Sequence, residues 1–175
     1  MTEAVRSTID KAYAGTRVLH GATLEVTAGT VHALVGENGA GKSTLVKILA
    51  GVVPADGGSL SIDGRERALA RWTRAAARAA RIGIVQQHGA FAGTLSVVEN
   101  AVLGAEGGPL LDLAPAANAL AATGERVGLP IDPWARAGEL TLGAAQRAEI
   151  VAALWAGAKL LVLDEPTAGM NPQES

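Results

Sequence analysis

Residues 36–44, Gly-Glu-Asn-Gly-Ala-Gly-Lys-Ser-Thr, constrain the fold of this chain more than any other stretch. They fit the pattern G-x-x-x-x-G-K-[ST], a loop that cradles phosphate groups where a buried strand ends and a helix begins. Residues 30–35 are apolar and rich in β-branched side chains, which predicts the strand. Residues 45–50 have apolar positions at helical spacing and are closed by Gly51, which predicts the helix. The sequence therefore predicts an α/β fold that binds a nucleoside triphosphate.

The residue types in this loop suit phosphate binding. A helix N-terminus presents unpaired N–H groups and partial positive charge to an anion, and glycines let the main chain approach it closely. Lys42 is expected to reach the β- and γ-phosphates, Ser43 to ligate magnesium, and Thr44 to hold the α-phosphate end. The alternative, a Gly-rich turn with an exposed Lys, is disfavoured by the flanks. The predicted nucleotide-binding residues are Gly36, Glu37, Asn38, Gly39, Ala40, Gly41, Lys42, Ser43 and Thr44.

An acidic pair follows an apolar run near the end of the sequence. Residues 160–163, Leu-Leu-Val-Leu, predict a strand buried on both faces of a parallel sheet, with Asp164 and Glu165 at its C-terminal end. Magnesium prefers oxygen ligands, so Asp164 is predicted to hold it, directly or through water. Glu165 is predicted to polarise the attacking water. A strand end followed by an ordinary turn is the alternative, which the upstream phosphate loop disfavours.

Composition limits the class of protein. A chain of 175 residues is long enough for one domain with a substantial core. The net charge is −2 and no dense Lys/Arg face accompanies aromatic residues, so nucleic acid is not an expected partner. Cysteine is absent, which leaves no disulfide or thiolate metal site. No apolar stretch approaches the roughly 18 residues of a membrane span, so any membrane role is expected to act through a partner.

Four ordered motifs resemble those of the ATP-binding subunits of ABC transporters. They are the phosphate loop, a Gln that follows the apolar residues 82–85, residues 140–147, and the segment Leu-Asp-Glu-Pro-Thr at 163–167. The likeness runs from about Ile9 to the last residue. It implies ATP and Mg²⁺ as cofactors, and a P-loop NTPase core with an N-terminal antiparallel β subdomain and an inserted α-helical subdomain.

The resemblance also implies a division of the chain into parts of a single incomplete domain. Residues 1–87 are expected to form the β subdomain and the P-loop core, residues 88–139 the helical subdomain, and residues 140–175 the signature helix and the Walker B strand. The chain ends at Ser175, after the loop that follows the acidic pair and before the strand and the His that family members place downstream. C-terminal strands are therefore expected to be missing, and part of the apolar 160–163 surface is expected to lack cover.

Roles for single residues follow from the same resemblance. Tyr13 occupies the position of the aromatic residue that stacks on adenine, with an ordinary strand-turn Tyr as the alternative. Gln87 is the better match for the Gln that contacts magnesium and water, and Gln86 remains possible. The resemblance thus implies Glu165 and Gln87 as catalytic residues and Ser43, Gln87 and Asp164 as the metal site.

Residues 140–144 resemble the signature motif, which lies at a helix start and grips the γ-phosphate bound to the opposite subunit. Thr141 supplies a hydroxyl and Gly143 an N–H group for that contact, whereas Leu142 and Ala144 stand where Gly and Gln are usual. The signature residues implied by the resemblance are Leu140, Thr141, Leu142, Gly143 and Ala144.

Residues 96–104 resemble the first segment of the family's helical subdomain, which normally contacts the membrane-spanning partner. Residues 138–143, followed by 147–154, resemble the branch of the family that imports simple sugars or nucleosides, and residues 100–110 and 171–174 fit the same branch. This implies an ATPase on the cytoplasmic face of the cell membrane that powers import through membrane-spanning permease subunits. The implied partners are those permeases, a second ATPase domain or a second copy of the chain, and indirectly a periplasmic or lipid-anchored solute-binding protein. The alternatives are a truncated, binding-only or inactive fragment, and a soluble ABC protein outside transport.

Overall fold

A computed structural model of the chain describes residues 3–86, 90–103 and 112–164. It has two compact units, Met1–Ile82 and Gly83–Ser175. The strands are β1 (Glu3–Tyr13), β2 (Thr16–Thr27), β3 (Gly57–Ile62), β4 (Arg65–Arg67), β5 (Ile82–Val85) and β6 (Leu160–Leu163). The helices are α1 (Lys42–Leu49), α2 (Arg74–Ala79), α3 (Val97–Val102), α4 (Leu113–Arg126) and α5 (Leu142–Trp155), with 3₁₀ turns at Leu69–Arg71 and Ala137–Glu139.

The first unit contains an antiparallel sheet with strand order β2-β1-β3-β4, which confirms the expected N-terminal β subdomain. The long β1–β2 hairpin closes where Tyr13 pairs with Thr16. Its two loop residues, Ala14 and Gly15, both have positive φ, at 46° and 84°. Such a turn matches the right-handed twist of the flanking strands, so the hairpin closes without splaying them.

Helix α1 confirms the helix predicted after the phosphate loop. It buries Leu45, Ile48 and Leu49, and it contacts β2. At its C-terminal end the N–H of Val52 donates to the Lys47 carbonyl (2.8 Å) and that of Gly51 to the Ile48 carbonyl (2.9 Å). This pair of bonds is the Schellman arrangement, which satisfies carbonyls that have no partner inside the helix. The helix therefore ends where the glycine was expected to end it.

Trp72 supports the same end of α1 from a distant part of the sequence. Its indole ring is buried, and its Nε1–H lies 3.1 Å from the carbonyl oxygens of both Ile48 and Leu49. The indole thus pairs its polar N–H while it fills the space beside the helix.

The strand predicted over residues 30–35 is not formed. This segment lies outside the four-stranded sheet of the first unit, Val31 is fully exposed and Val35 is 87% exposed. The prediction was wrong because β-branched composition reports only suitability for a strand, whereas a strand also needs a neighbour that completes its hydrogen bonds. The phosphate loop therefore follows an exposed segment that has no regular secondary structure.

Helices α3, α4 and α5 build the core of the second unit; of these, only α3 and α4 lie within residues 88–139, the predicted helical subdomain. Their apolar faces meet around fully or nearly fully buried side chains, and the partly buried Phe91, Leu140 and Trp155 pack against them. The buried residues of this cluster are Val97, Val98, Val102, Ala117, Leu120, Ala148, Val151 and Ala152. In the ranges that the structure describes, no helix has the length and apolarity needed to cross a membrane.

Strands β5 and β6 pair in a two-stranded sheet in the second unit. The N–H of Asp164, just beyond β6, donates to the carbonyl of Val85 at the end of β5 (3.0 Å), so the two strands run in the same direction. The expectation that β6 is buried on both faces was wrong, since Leu160 to Val162 are half-buried and Leu163 is exposed. Among the described residues only β5 pairs with β6, which leaves part of the apolar surface uncovered, as expected.

Candidate nucleotide-binding site

The phosphate loop of the first unit is organised around the side chain of Lys42. Its Nζ donates to the carbonyl oxygens of Gly36 (2.7 Å) and Glu37 (2.9 Å), and the N–H of Ala40 donates back to Glu37 (3.2 Å). Residues 36–40 are exposed to solvent. The loop therefore folds around the Lys42 ammonium at the N-terminus of α1. This ammonium and the helix N-terminus both attract an anion.

Gly41 makes this geometry possible. It adopts φ 87° as the N-cap of α1, and no side chain caps the helix. A Cβ at this position would lie 2.6 Å from Cδ2 of Leu19 and 3.1 Å from the carbonyl oxygen of Val18. Both the left-handed backbone and the contact with β2 thus exclude larger residues. Ser43 and Thr44 follow in the first turn of α1, where a bound phosphate and its metal ion are expected.

Tyr13 lies at the tip of the β1–β2 hairpin and is 45% exposed. Leu19, whose side chain would contact a Cβ at Gly41, follows Thr16, the partner of Tyr13, by three positions along β2. At the rise of a β-strand this is about 10 Å. The first unit therefore contains both an exposed aromatic ring and the phosphate loop, and the adenine-stacking role of Tyr13 stays a prediction.

Asp164 and Gln86 stand at the C-terminal ends of β6 and β5 in the second unit, the edge where ligands bind in open α/β sheets. The backbone bond from Asp164 to Val85 holds these ends side by side. Gln87 and Glu165, the two predicted catalytic residues, lie outside the described residues, and their roles stay predictions.

The predicted signature residues lie at the start of α5, and their contact with a γ-phosphate stays a prediction. Thr141 is the N-cap, and its Oγ accepts a hydrogen bond from the N–H of Ala144 (3.3 Å). Its hydroxyl hydrogen is still free to donate, because the capping bond uses only a lone pair. Leu142 is exposed on the first turn, Gly143 is buried, and Leu140 is partly buried against the helical core.

Glu149 is a buried carboxylic acid on α5 that the sequence reasoning missed. It is only 6% exposed, and its Oε1 accepts a hydrogen bond from the N–H of Ala90 (2.6 Å). Burial raises the pKa of Glu149, while hydrogen bonds from the N–H groups of Ala90 and Phe91 act in the opposite direction. An acid among the apolar positions Ala148, Val151 and Ala152 is the signal that could have identified it.

Residues 93–98 form a backbone link to residues 133–138, just before the signature. Hydrogen bonds run from Val97 to the Ala135 carbonyl and from Ala137 to the Leu95 carbonyl, each at 3.0 Å. Ser96 begins α3 with a capping box, in which its Oγ accepts from the N–H of Glu99 and Glu99 Oε2 accepts from the N–H of Ser96 (2.7 Å). That second bond is the main reason why the pKa of Glu99 is lowered.

An α/β fold with a lysine-bearing phosphate loop at a helix N-terminus defines a nucleotide-binding protein of the P-loop class. The sequence pattern that describes the family "ABC transporter" matches residues 19–168. The chain belongs to the ABC transporter family.

Its relatives include sugar-import proteins. The chain is 44% identical over 95% of its length to the ribose import ATP-binding protein RbsA of Chromobacterium violaceum. It is 37% identical over 95% of its length to the arabinose import ATP-binding protein AraG of Rhizobium etli. It covers 33% of each of these proteins, so the chain spans about a third of the length of the curated relatives it matches.

Solved structures share the fold. The structure of cbiO1 from Clostridium perfringens, part of the ABC transporter complex cbiONQ, superposes with a TM-score of 0.77 at 26% identity and covers 99% of this chain and 70% of that protein. The ADP conformation of MJ1267, an ATP-binding cassette of an ABC transporter, gives a TM-score of 0.83 at 25% identity and covers 99% and 73%. The predicted P-loop ATPase fold is thereby confirmed.

Proposed function

We propose that the chain binds Mg²⁺-ATP and that the protein which carries it hydrolyses ATP to power import of a simple sugar or nucleoside. The observation that carries the proposal is the phosphate loop, where the ammonium of Lys42 is held at the uncapped start of α1 by the Gly36 and Glu37 carbonyls. A triphosphate would replace these contacts to neutral carbonyls by hydrogen bonds between the ammonium and a charged acceptor, which are stronger. Relatives named as ribose and arabinose import proteins support the substrate class.

In this proposal each predicted site residue has its own role in binding or hydrolysing ATP. Tyr13 stacks on the base, and the loop N–H groups and Lys42 bind the phosphates. The Ser43 hydroxyl, the Asp164 carboxylate and the Gln87 amide are the proposed Mg²⁺ ligands, because each offers the hard oxygen donor that this ion prefers. Bound there, the ion would neutralise charge on the phosphates. Glu165 orients and polarises the attacking water.

The proposed assembly completes the site with a second ATPase domain or a second copy of the chain. Thr141 and Gly143, at the start of α5, would grip the γ-phosphate held by the other subunit. The helical region would contact membrane-spanning permease subunits at the cytoplasmic face, and a solute-binding protein would deliver the solute from the other side. A chain that only binds nucleotide is the second candidate, because the chain spans about a third of its relatives' length.

The test compares the parent chain with Lys42→Met and Glu165→Gln by titration calorimetry with Mg²⁺-ATP and by phosphate release. We expect Lys42→Met to weaken binding roughly ten- to hundredfold, since it removes charge-assisted hydrogen bonds. Glu165→Gln should bind ATP like the parent and release no phosphate. Lys159→Met removes a lysine in the second unit and serves as the control that keeps full binding.

Each result has a distinct meaning. Parent-like affinity in Lys42→Met would refute the phosphate site, and parent-like turnover in Glu165→Gln would refute the role of Glu165. Binding without turnover in the parent supports the binding-only candidate. Co-purification of the full-length protein with membrane subunits, and loss of ribose or arabinose uptake when its gene is deleted, would test the transport step.

A further inference from the structure

Lys11 is a buried lysine beside the predicted adenine-binding position. It sits on β1, two residues before Tyr13, and is only 8% exposed. Its Nζ donates to Oδ1 of Asp56 (2.6 Å) and lies 5.3 Å from the centroid of the Tyr13 ring. Lysine is almost never buried without a partner, because desolvation of the ammonium is costly. Here the partners are one carboxylate and one aromatic face.

Asp56 holds this lysine from the segment that connects α1 to β3. Its Oδ2 accepts from the N–H of Ala12 (2.8 Å), and its own N–H donates to the carbonyl of Asp10 (3.0 Å). Together with the bond to Lys11, these contacts tie Asp56 to three successive residues of β1. The bonds from Lys11 and Ala12 lower the pKa of Asp56, so the carboxylate is charged at neutral pH. These bonds connect the end of β1 to the segment that follows α1, the helix after the phosphate loop.

We propose that Lys11 and Asp56 are a positioning pair that holds the Tyr13 ring in place. The ring is thereby preorganised to stack on the nucleotide base. This inference rests on the proposed function, which places the base at Tyr13. The Lys11 ammonium lies over the Tyr13 ring, and Tyr13 is 45% exposed, so part of the residue is accessible to a base. A ring that is already fixed loses little freedom when the base binds, so more of the stacking energy appears as affinity.

The two ends of the ligand allow a direct test on the 175-residue chain. Mg²⁺-ATP uses both the base position and the phosphate loop, whereas Mg²⁺-tripolyphosphate uses only the loop. We expect the parent to bind ATP more tightly than tripolyphosphate. Lys11→Met should weaken ATP binding roughly 3- to 10-fold, the cost of ordering one aromatic side chain on binding, and should leave the affinity for tripolyphosphate unchanged.

A double-mutant cycle separates positioning from simple structural support. Tyr13→Ala should remove the advantage of ATP over tripolyphosphate, and Lys11→Met added to Tyr13→Ala should cause no further loss, because Lys11 acts through the ring. Lys11→Arg, which keeps the cation, should restore part of the ATP affinity. Asp56→Asn should weaken ATP binding in the same direction as Lys11→Met, and Lys159→Met should change neither affinity.

Several results would overturn the proposal. Equal losses of ATP and tripolyphosphate affinity in Lys11→Met would mean that the pair supports only the fold. Additive losses from Lys11→Met and Tyr13→Ala would mean that Lys11 does not act through the ring. If the parent binds tripolyphosphate and ATP equally, the base position in the proposed function fails; if it binds neither, the phosphate site itself fails.

Discussion

Gly41 combines a backbone requirement with a packing requirement at a single residue. Its φ of 87° is disfavoured for residues with a side chain, and its missing Cβ leaves room for Leu19 and the Val18 carbonyl. Gly36 in the same loop has no positive φ, and a Cβ there would meet Ala40 and Lys42 only at ordinary contact distances of 3.8 Å. The two glycines therefore form a matched pair with different expected tolerance.

We predict that Gly41→Ala lowers the free energy of unfolding by about 1–2 kcal/mol, the cost of a left-handed backbone in a residue with a Cβ. Gly36→Ala should change it by less than about 0.5 kcal/mol. Urea denaturation of both variants checks this. Equal stability of Gly41→Ala and the parent would show that the turn at Gly41 relaxes into a backbone that alanine tolerates.

Helix α5 carries the predicted signature residues at its start and a buried acid two turns later. Thr141 caps the helix, and Glu149 accepts a hydrogen bond from Ala90, 59 residues away in sequence. Helix α5 thus carries the predicted signature residues and also contacts the segment after Gln87, the glutamine predicted to contact magnesium. Glutamine at position 149 keeps the shape and an oxygen acceptor for Ala90 but carries no charge.

The raised pKa of Glu149 predicts a pH-dependent effect of Glu149→Gln. Its pKa lies above the ordinary value of 4.5 in the folded state because of burial, so the folded state binds more protons than the unfolded state in the window above 4.5. The parent should therefore lose stability relative to Glu149→Gln as pH rises through that window. The expected change is about 1.4 kcal/mol for each unit of pKa shift.

Urea denaturation at a series of pH values from about 4 upward measures this difference. The parent and Glu149→Gln must be compared with each other at every pH, because other groups also change the stability of both proteins with pH. Asp56 and Glu99 have lowered pKa values, so their stabilising contribution is lost as pH falls, whereas that of Glu149 is lost as pH rises. A Glu99→Gln variant is the control and should lose stability at neutral pH relative to the parent. A constant difference between the parent and Glu149→Gln across the series would contradict the prediction.

At the level of the whole molecule, the described residues include an exposed apolar segment before the phosphate loop. Val31 is fully exposed, Val35 is 87% exposed, and Leu34 is also exposed. Contiguous exposed apolar residues favour association, as do strands whose edges lack cover. Leu163 on β6 adds an exposed apolar side chain in the second unit.

We predict that the chain associates in a concentration-dependent manner and that Val31→Thr with Val35→Thr reduces this association. Threonine keeps the β-branched shape and adds a hydroxyl, so exposed apolar area falls with little change in local conformation. Sedimentation velocity over a range of concentrations provides the measurement. Val127→Thr makes the same change at an isolated exposed site and should have no effect; a parent that stays monomeric throughout would refute the prediction.

Local patterns in the sequence predicted features whose physical cause lies within a few residues. The helix that follows the phosphate loop and its end at Gly51 are examples, because apolar spacing and glycine geometry determine them locally. The resemblance to the ABC transporter family predicted the order of the remaining elements. These inferences held because each depends on contacts within one turn or one loop.

Local sequence patterns did not predict contacts between residues that are far apart in the sequence. Lys11 contacts Asp56 across 45 residues of sequence and Glu149 contacts Ala90 across 59. The apolar neighbours of Glu149 on α5 could have indicated its burial, but no local pattern identifies either partner. The pairing of residues 30–35 and the burial of β6 were mispredicted for the same reason, since strand propensity says nothing about which neighbours are present. Sequence patterns identify the groups that can bind a nucleotide, whereas packing decides which of them are buried, paired and held in place.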